Sequence, residues 1–198
     1  MTGACCDIQC FQSNNAYVVK ELALTSLDGA ILEHYIFRPP FAFHELEVKD
    51  QQTNAYLTRH KHWLGWYAGV VNYSKLPLIL DRIGREYSIL YTKGKQKQEC
   101  LQNYVSRSCT VIDLEAHNCP ALLDLSVYPA PRCYMNHPSC ALSNAERLRQ
   151  WIREESGLIK GDTGRSTDTS RSPDCAFETR SVNRPVYNNE LFSREHGR

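Results

Sequence analysis

The sequence predicts an α/β domain built on a mixed sheet. Three strand-like segments follow one another in the first 37 residues, and an Asp-Gly pair separates the second from the third. After them, segments with helical spacing alternate with short apolar runs of the kind that form buried strands. Three antiparallel strands followed by alternating helices and strands give a sheet with helices packed against it.

The three N-terminal strands are predicted at residues 4–11, 17–24 and 31–37. The cluster Ser13-Asn14-Asn15 ends the first strand, because these residue types favour turns. Asp28-Gly29 is a strong hairpin signal between the second and third strands. The pattern therefore predicts an antiparallel three-stranded meander.

The prolines at positions 39 and 40 end the sheet pattern, since proline lacks a backbone donor. The elements predicted after them, in chain order, are a helical segment that ends near His60, a helix capped by Ser74 and ending near Gly84, a strand over 87–91, a helix that opens at 93–97 and runs through Tyr104, a strand over 109–113, and a last helix.

The last helix carries the pattern of a capping box. Ser143 and Glu146 form S-x-x-E, and apolar residues follow at helical spacing. From Gly157 onward the composition changes to small and polar residues with few clustered apolar ones. We expect one domain over residues 1–157 and a disordered tail over 158–198.

Composition narrows the class of protein. The chain has 198 residues, of which 42% are hydrophobic and 23% charged, as expected for one globular domain with a tail. A formal charge of +1 gives no overall attraction to nucleic acid, so binding would need a local basic surface. No run of 18 apolar residues occurs, which predicts no membrane-spanning helix and no membrane partner.

The nine cysteines predict a reducing compartment rather than a disulfide framework. Their number is odd, and no apolar leader follows Met1. We expect reduced thiols, with one metal site among them, in an intracellular protein of the cytoplasm or nucleus.

A metal site is predicted at Cys133, His137 and Cys140. Two thiols and an imidazole within eight residues suit Zn²⁺, but closed structural sites have four ligands. The spacing leaves the fourth open among four residues: Glu21, Cys119, His117 and Asp7. The alternative is that the two cysteines are small buried side chains and His137 lies in a surface turn.

Two segments carry groups that could contact nucleic acid. Lys93, Lys95 and Lys97 lie at a strand-to-helix junction and could bind phosphates, although a lysine run is also typical of a solvated face. Residues 60–67 are rich in histidine and aromatic residues, which could either stack on bases or anchor a loop to the core. On the sequence alone we expect His60 and His62 to be solvated.

The order of elements resembles the RNase H-like fold, in particular its DEDDh 3′-5′ exonuclease branch, over about residues 4–152. Asp7-Ile8-Gln9 looks like the D-x-E motif of the first strand. Residues 92–101 look like the second motif at a strand–helix junction, and residues 140–145 look like the H-x4-D motif of the last helix.

The catalytic residues of those nucleases are mostly replaced. The family holds two divalent cations with four carboxylates, and here only Asp7 stands where an acid is expected. Two-metal catalysis is therefore not expected, and Asp7 is the single residual candidate. The replacements are Gln9 for the glutamate, Lys97 or Gln98 for the second aspartate, Asn144 for the last aspartate, and Ser139 or Cys140 for the histidine.

Loss of these acids together with a Cys-His-Cys cluster resembles the Maelstrom domain, a module of the piRNA pathway derived from the DEDDh lineage. The resemblance implies one structural Zn²⁺ held by Glu21, Cys133, His137 and Cys140. Glu21 shares a strand face with Val19 and Ala23, so its carboxylate would need a partner if that face is buried. If the strand is an edge, Glu21 and Lys20 are solvated.

The leading functional hypothesis is a zinc-stabilised, catalytically degenerate domain that binds single-stranded RNA in small-RNA silencing, more a binding protein than an enzyme. Weak RNA cleavage without metal is implied by resemblance. One alternative is a protein–protein interaction module on an inactive nuclease fold. Another is an active exonuclease that uses Mg²⁺ or Mn²⁺ with Asp7, Asp81 and Asp113.

Overall fold

Five β-strands and four α-helices, joined by loops and short 3-10 and π-helical turns, form the part of the chain that the structure, a computed structural model, describes. These residues are 3–125 and 139–160, with the backbone alone for 156–160. The strands are β1 (Gly3–Ser13), β2 (Ala16–Ser26), β3 (Leu32–Ile36), β4 (Ile89–Thr92) and β5 (Thr110–Asp113), and the helices are α1 (Val48–Leu57), α2 (Leu76–Glu86), α3 (Lys95–Gln102) and α4 (Ala141–Lys160).

The five strands form one mixed sheet in the order β3-β2-β1-β4-β5. β2 runs antiparallel to both β1 and β3, whereas β4 is parallel to β1 and to β5. The predicted α/β class is confirmed, and the three antiparallel strands are one part of a larger mixed sheet.

β2 lies inside the sheet and is buried on both of its faces. Every residue from Val18 to Ser26 is buried, including Lys20 and Glu21. The alternative that these two charged residues are solvated on an edge strand is wrong. The register of β1 against β2 shifts between Gln9 and Cys10, which leaves Lys20 as an additional residue on β2. Such a bulge redirects a side chain and bends the strand.

Helices cover both faces of the sheet. On one face, α2 and α3 pack against apolar residues of β1, β2 and β4 through Leu80, Ile83 and Leu101. On the other face, α4 places Ala141 and Ala145 against β2, and Leu148 against Cys5 of β1. The fold is therefore a three-layer arrangement with the sheet in the middle.

An aromatic cluster fixes the connection between β3 and α2. Trp66 is buried and its ring lies 5.2 Å from that of Phe11 on β1, with Phe41 and Phe43 packed beside it. His62 is also buried, with its ring 4.8 Å from Phe11, so the prediction that His62 is solvated is wrong. Trp66 anchors the loop, as one of the two interpretations of residues 60–67 requires.

Two predicted helix starts differ from the structure. Asn72, rather than Ser74, accepts the capping hydrogen bond before α2, since its side chain binds the Ser74 N–H at 3.0 Å. α4 begins at Ala141, so Ser143 lies in its first turn and is not the cap. The Glu146 carboxylate accepts hydrogen bonds from Thr25 and Arg149 instead of closing a capping box.

α4 continues to Lys160, three residues beyond the predicted domain boundary. The tail predicted beyond it lies outside the described residues from position 161 onward. In the part of the chain that the structure describes, no helix combines the length and apolar character needed to cross a membrane.

Candidate functional site

The pairing of β1 with β4 determines the position of Asp7. Cys5 pairs with Tyr91 in this parallel register, and β4 ends one residue later, at Thr92. Asp7, two residues beyond Cys5, therefore lies level with the turn that leads from β4 into α3. Side chains from α3 and from the start of α4 can meet it there.

Asp7 is fully buried and both of its carboxylate oxygens are occupied. The Lys97 ammonium donates to Oδ1 at 2.5 Å, and the Asn144 amide donates to Oδ2 at 2.8 Å. Arg147 donates to the side-chain oxygen Oδ1 of Asn144 at 3.3 Å, which orients the side-chain amide toward Asp7. Asp7, the single acid that stands at a nuclease-motif position, is thus paired with the ammonium group of Lys97.

The electrostatics of Asp7 reflect a balance between burial and these two donors. Desolvation raises the pKa of the Asp7 carboxyl above 3.8, while the charge and hydrogen bond of Lys97 and the Asn144 amide oppose that rise. The Lys97 side chain is 26% exposed, so its ammonium reaches a fully buried partner from the protein surface. Lys97 therefore favours the ionised form of Asp7 against the effect of burial.

The positions that replace nuclease residues converge around Asp7, with one exception. Gln9 donates its amide to the backbone oxygen of Ser139 at 2.8 Å, and Asn144 reaches the same oxygen at 3.3 Å. Gln98 instead donates to the Val111 carbonyl of β5. Lys97, rather than Gln98, is therefore the residue that faces Asp7.

Glu21 connects β2 to the start of α4. Its side chain is buried; Nε2 of His34 on β3 lies 2.6 Å from Oε1, and the backbone N–H of Ala141 donates to Oε2 at 3.0 Å. The carboxylate therefore satisfies one of the unpaired N–H groups at the helix start. A buried carboxylate with partners agrees with one of the two alternatives, in which Glu21 lies on a buried strand face and needs a partner.

Cys140 lies at the same place. It is buried directly before α4, and its Sγ accepts the Ser143 N–H at 3.4 Å. The other two predicted zinc ligands, Cys133 and His137, lie outside the described residues. Within residues 3–125 and 139–160, no group of three or more His, Cys, Asp or Glu side chains is arranged to hold a metal ion. The structure thus brings together Glu21 and Cys140 of the four.

The three predicted phosphate-binding lysines differ in their surroundings. The Lys93 ammonium donates to the Cys119 carbonyl at 2.7 Å, and Lys97 is paired with Asp7. Lys95 is 81% exposed, with Glu99 at 3.8 Å. Of the three, only Lys95 presents its charge mainly to solvent.

A more exposed basic surface lies at the end of α1. We define the basic aromatic surface as Tyr56, Arg59, His60, Lys61 and Trp63, all of which are exposed. The Tyr56 and Trp63 side chains are 53% and 61% exposed, and the Tyr56 and His60 rings lie 4.8 Å apart. The chain has no acidic residue from position 51 to position 80. Stacking groups and cations thus occur here without an acid nearby in sequence.

A cavity of about 200 Å³ lies beside the Asp7 site. Its walls include Leu57 from α1, Gln9 and Cys10 from β1, and Lys97 and Cys100 from α3. Leu57 directly follows Tyr56, and Lys97 is the partner of Asp7. The degenerate site therefore borders this cavity through Gln9 and Lys97, and α1 contributes Leu57 to the opposite wall.

The acids of the exonuclease alternative are engaged in three separate contacts. Asp81 pairs with Arg85 on α2, and Asp113 accepts the backbone N–H groups of Gly94 and Glu115. Asp7, as described, is bound by Lys97 and Asn144. Within the described part of the chain, none of the three belongs to a cluster of His, Cys, Asp or Glu that could hold a metal.

Sequence reasoning missed His34 as the partner of Glu21. Ala23 pairs with His34 across β2 and β3, and Glu21 lies two residues from Ala23 on the same strand face. The register follows from the Asp28-Gly29 turn, so a diagonal pair was detectable in principle.

Compared with protein-family models and with curated proteins, the chain matches none.

Proposed function

We propose that this chain is a catalytically degenerate domain of the RNase H-like type, similar to Maelstrom-like domains, that binds single-stranded RNA. The order of elements and the convergence of Asp7, Gln9, Lys97 and Asn144 on one site support the fold assignment. Lys97 supplies the positive charge next to Asp7, and a lysine repels a divalent cation. Binding without two-metal catalysis is the activity that this arrangement favours.

The observation that carries RNA binding is the basic aromatic surface. Exposed aromatic rings stack on unpaired bases with little regard to sequence, and nearby cations bind the phosphates. Arg59 and Lys61 supply the charge, and Tyr56 and Trp63 supply the rings. Leu57, the residue after Tyr56, lines the cavity that Gln9 and Lys97 of the degenerate site also line.

Trp63→Ala is expected to weaken RNA binding by roughly 5- to 150-fold, which corresponds to about 1–3 kcal/mol for one stacked base. The measurement is fluorescence anisotropy of a labelled 20-nucleotide oligouridine at about 50 and 200 mM salt. Leu78→Ala is the matched control, because Leu78 is also an exposed apolar residue, on α2. The control should bind as the unmodified protein does.

The charges of the surface are tested by Arg59→Gln/Lys61→Gln, which should weaken binding and flatten its dependence on salt. Lys95→Gln removes an exposed charge from the lysine cluster and should have the smaller effect. If Lys95→Gln has the larger effect, the lysine cluster is the interface. If no binding occurs even at 50 mM salt, the RNA-binding proposal is wrong.

We further propose that one Zn²⁺, bound by Glu21, Cys133, His137 and Cys140, holds α4 to the sheet. Two features of the described residues fit this donor set. Glu21 is a buried carboxylate at the start of α4, and the Cys140 sulfur lies there as well, where it accepts the Ser143 N–H and donates to the Ser143 hydroxyl. When bound, zinc would supply structural cross-linking without chemistry of its own.

Protein purified without added zinc should contain one zinc per chain, measured by elemental analysis. The double variant Cys133→Ser/Cys140→Ser should lose the metal and unfold at a lower temperature, because zinc binding stabilises only the folded state. Cys109→Ser serves as the control for removal of a buried thiol. Well-folded protein without zinc would exclude this site.

A further inference from the structure

Two cysteines face the cavity next to the Asp7 site and belong to different elements. Cys10 lies on β1, directly after the register shift, and Cys100 lies in the last turns of α3. Both line the cavity of about 200 Å³, and Cys10 packs against the apolar cluster that contains Cys100. The two thiols therefore belong to the wall of one cavity, and neither the RNA-binding surface nor the zinc site uses them.

The cavity gives small molecules access to this pair. Its wall also contains Gln96 and Tyr17, both exposed, and the partly exposed Lys97. Cys10 is itself only half-buried. By contrast, Cys5, Cys6 and Cys109 are buried in the core. Among the described cysteines, this pair thus shares one cavity that opens to solvent.

The two thiols have different reactivities. The hydrogen bond from Cys10 lowers the pKa of Cys100, whereas that same bond and burial raise the pKa of Cys10. Burial raises the pKa of Cys5, Cys6, Cys109 and Cys119 as well. Because the thiolate is the nucleophile, Cys100 should react first and Cys10 second.

We propose that Cys10 and Cys100 are a peroxide-sensitive dithiol that closes to a disulfide between β1 and α3. The Cys100 thiolate attacks one oxygen of hydrogen peroxide, the O–O bond breaks, and the departing hydroxide takes a proton to give water and a sulfenic acid. The Cys10 sulfur then attacks the sulfenic sulfur, and the S–OH bond breaks. The hydroxide leaves with the Cys10 proton as a second water.

The disulfide would have a local structural effect. β1 carries Asp7 three residues before Cys10, and α3 carries Lys97 one turn before Cys100. A covalent link would therefore join the two elements that hold the Asp7–Lys97 ion pair, across the cavity between them. This modification stands independently of RNA binding and would occur whether or not the chain binds RNA.

The test is titration of the reduced full-length protein with hydrogen peroxide, followed by alkylation and peptide mass spectrometry without reduction. We expect two thiols per chain to be lost first, in a cross-link between tryptic peptides 1–20 and 98–107. Cys100 is the only cysteine of the second peptide, and fragmentation must separate Cys10 from Cys5 and Cys6 in the first.

Two variants test the order of the steps. In Cys10→Ser, Cys100 should stop at the sulfenic acid and be labelled by dimedone. In Cys100→Ser, Cys10 should stay available to alkylation at the same peroxide dose. Cys109→Ser is the matched control and should form the cross-link normally. Oxidation of other cysteines while Cys10 and Cys100 remain alkylated, or a cross-link through Cys5 or Cys6, would overturn the proposal.

Discussion

Lys97→Met is expected to lower the free energy of unfolding by about 2–3 kcal/mol at pH 7, because it leaves a fully buried carboxylate without its cation. Removing one partner of a fully buried ion pair destabilises a protein more than this. Lys97 is partly exposed, so water can reach the site and solvate part of the Asp7 charge in the variant. Urea denaturation followed by circular dichroism measures the change. This is the largest effect on stability that we expect from a single substitution at the candidate site.

Lys95→Met is the matched control, since Lys95 is two residues away in α3 and mostly exposed. Its effect should be within about 0.5 kcal/mol of zero. The double variant Asp7→Asn/Lys97→Met removes both charges together and should recover most of the lost stability. If Lys97→Met is no more harmful than Lys95→Met, the ion pair does not matter to the fold.

The effect of Lys97→Met should also depend on pH. The pKa of Asp7 is 3.8 in the unfolded chain and higher in the native protein. At pH values between these two pKa values, the native state therefore binds more protons than the unfolded state. Its contribution to stability is present at low pH and is lost as pH rises through this window. Loss of Lys97 raises the native pKa further. The deficit should therefore be smaller near pH 4.5 than at pH 7.

Lys20→Met is expected to lower the free energy of unfolding by about 2 kcal/mol at pH 7, since it leaves buried carbonyl groups without a donor. The Lys20 ammonium donates to the backbone oxygens of Phe37 at 2.8 Å, Trp66 at 2.5 Å and Ala68. These bonds fasten the loop that follows the basic aromatic surface. Amide hydrogen exchange over residues 63–71 should become faster in the variant.

The pH dependence gives Lys20→Met a second, independent test. Burial lowers the pKa of Lys20 from 10.5 to about 7, so above pH 7 the native state has released a proton that the unfolded state still binds. This group therefore adds stability as pH rises from about 7 toward 10.5, by up to about 1.4 kcal/mol per pH unit.

The difference in stability between the unmodified protein and Lys20→Met should consequently widen from about pH 6.5 to pH 8.5. The thiols of the unfolded chain ionise in the upper part of that window, but both proteins have the same cysteines, so this contribution cancels in the difference. A difference that stays constant across it would show that Lys20 keeps an ordinary pKa. Lys75→Met, at an exposed position before α2, is the control for loss of a lysine.

The local sequence predicted those parts of the fold that local chemistry determines. Asp28 and Gly29 make the turn between β2 and β3, and Gly29 has the positive φ of 78° that glycine accommodates. The helix starts were less predictable, because Asn72, Ser74 and Ser143 are all suitable caps and tertiary contacts decided among them. At the start of α4, the Cys140 sulfur and the Glu21 carboxylate accept the backbone N–H groups, and the expected capping box of Ser143 and Glu146 does not form.

The candidate site was predictable only in part, for a similar reason. Asp7, Asn144 and Lys97 could be placed near one another by comparison with nuclease motifs, but no local pattern distinguishes Lys97 from Gln98 as the partner of Asp7. Lys20 was missed because a bulge is not visible in an alternating pattern. The contact between Cys10 and Cys100 depends on how α3 packs on β1, which sequence spacing does not specify.

The two adjacent charges of β2 have a consequence for folding fidelity. Consecutive residues of a strand point to opposite faces, so Lys20 meets carbonyl oxygens on one side while Glu21 meets a helix N–H on the other. β2 is buried on both faces, so hydrophobic alternation alone would tolerate a slip by one residue. A slip in one direction would bring the ammonium to the positive end of α4, and a slip in the other direction would bring the carboxylate among the carbonyl oxygens. Repulsion would reject the misaligned sheet in either case.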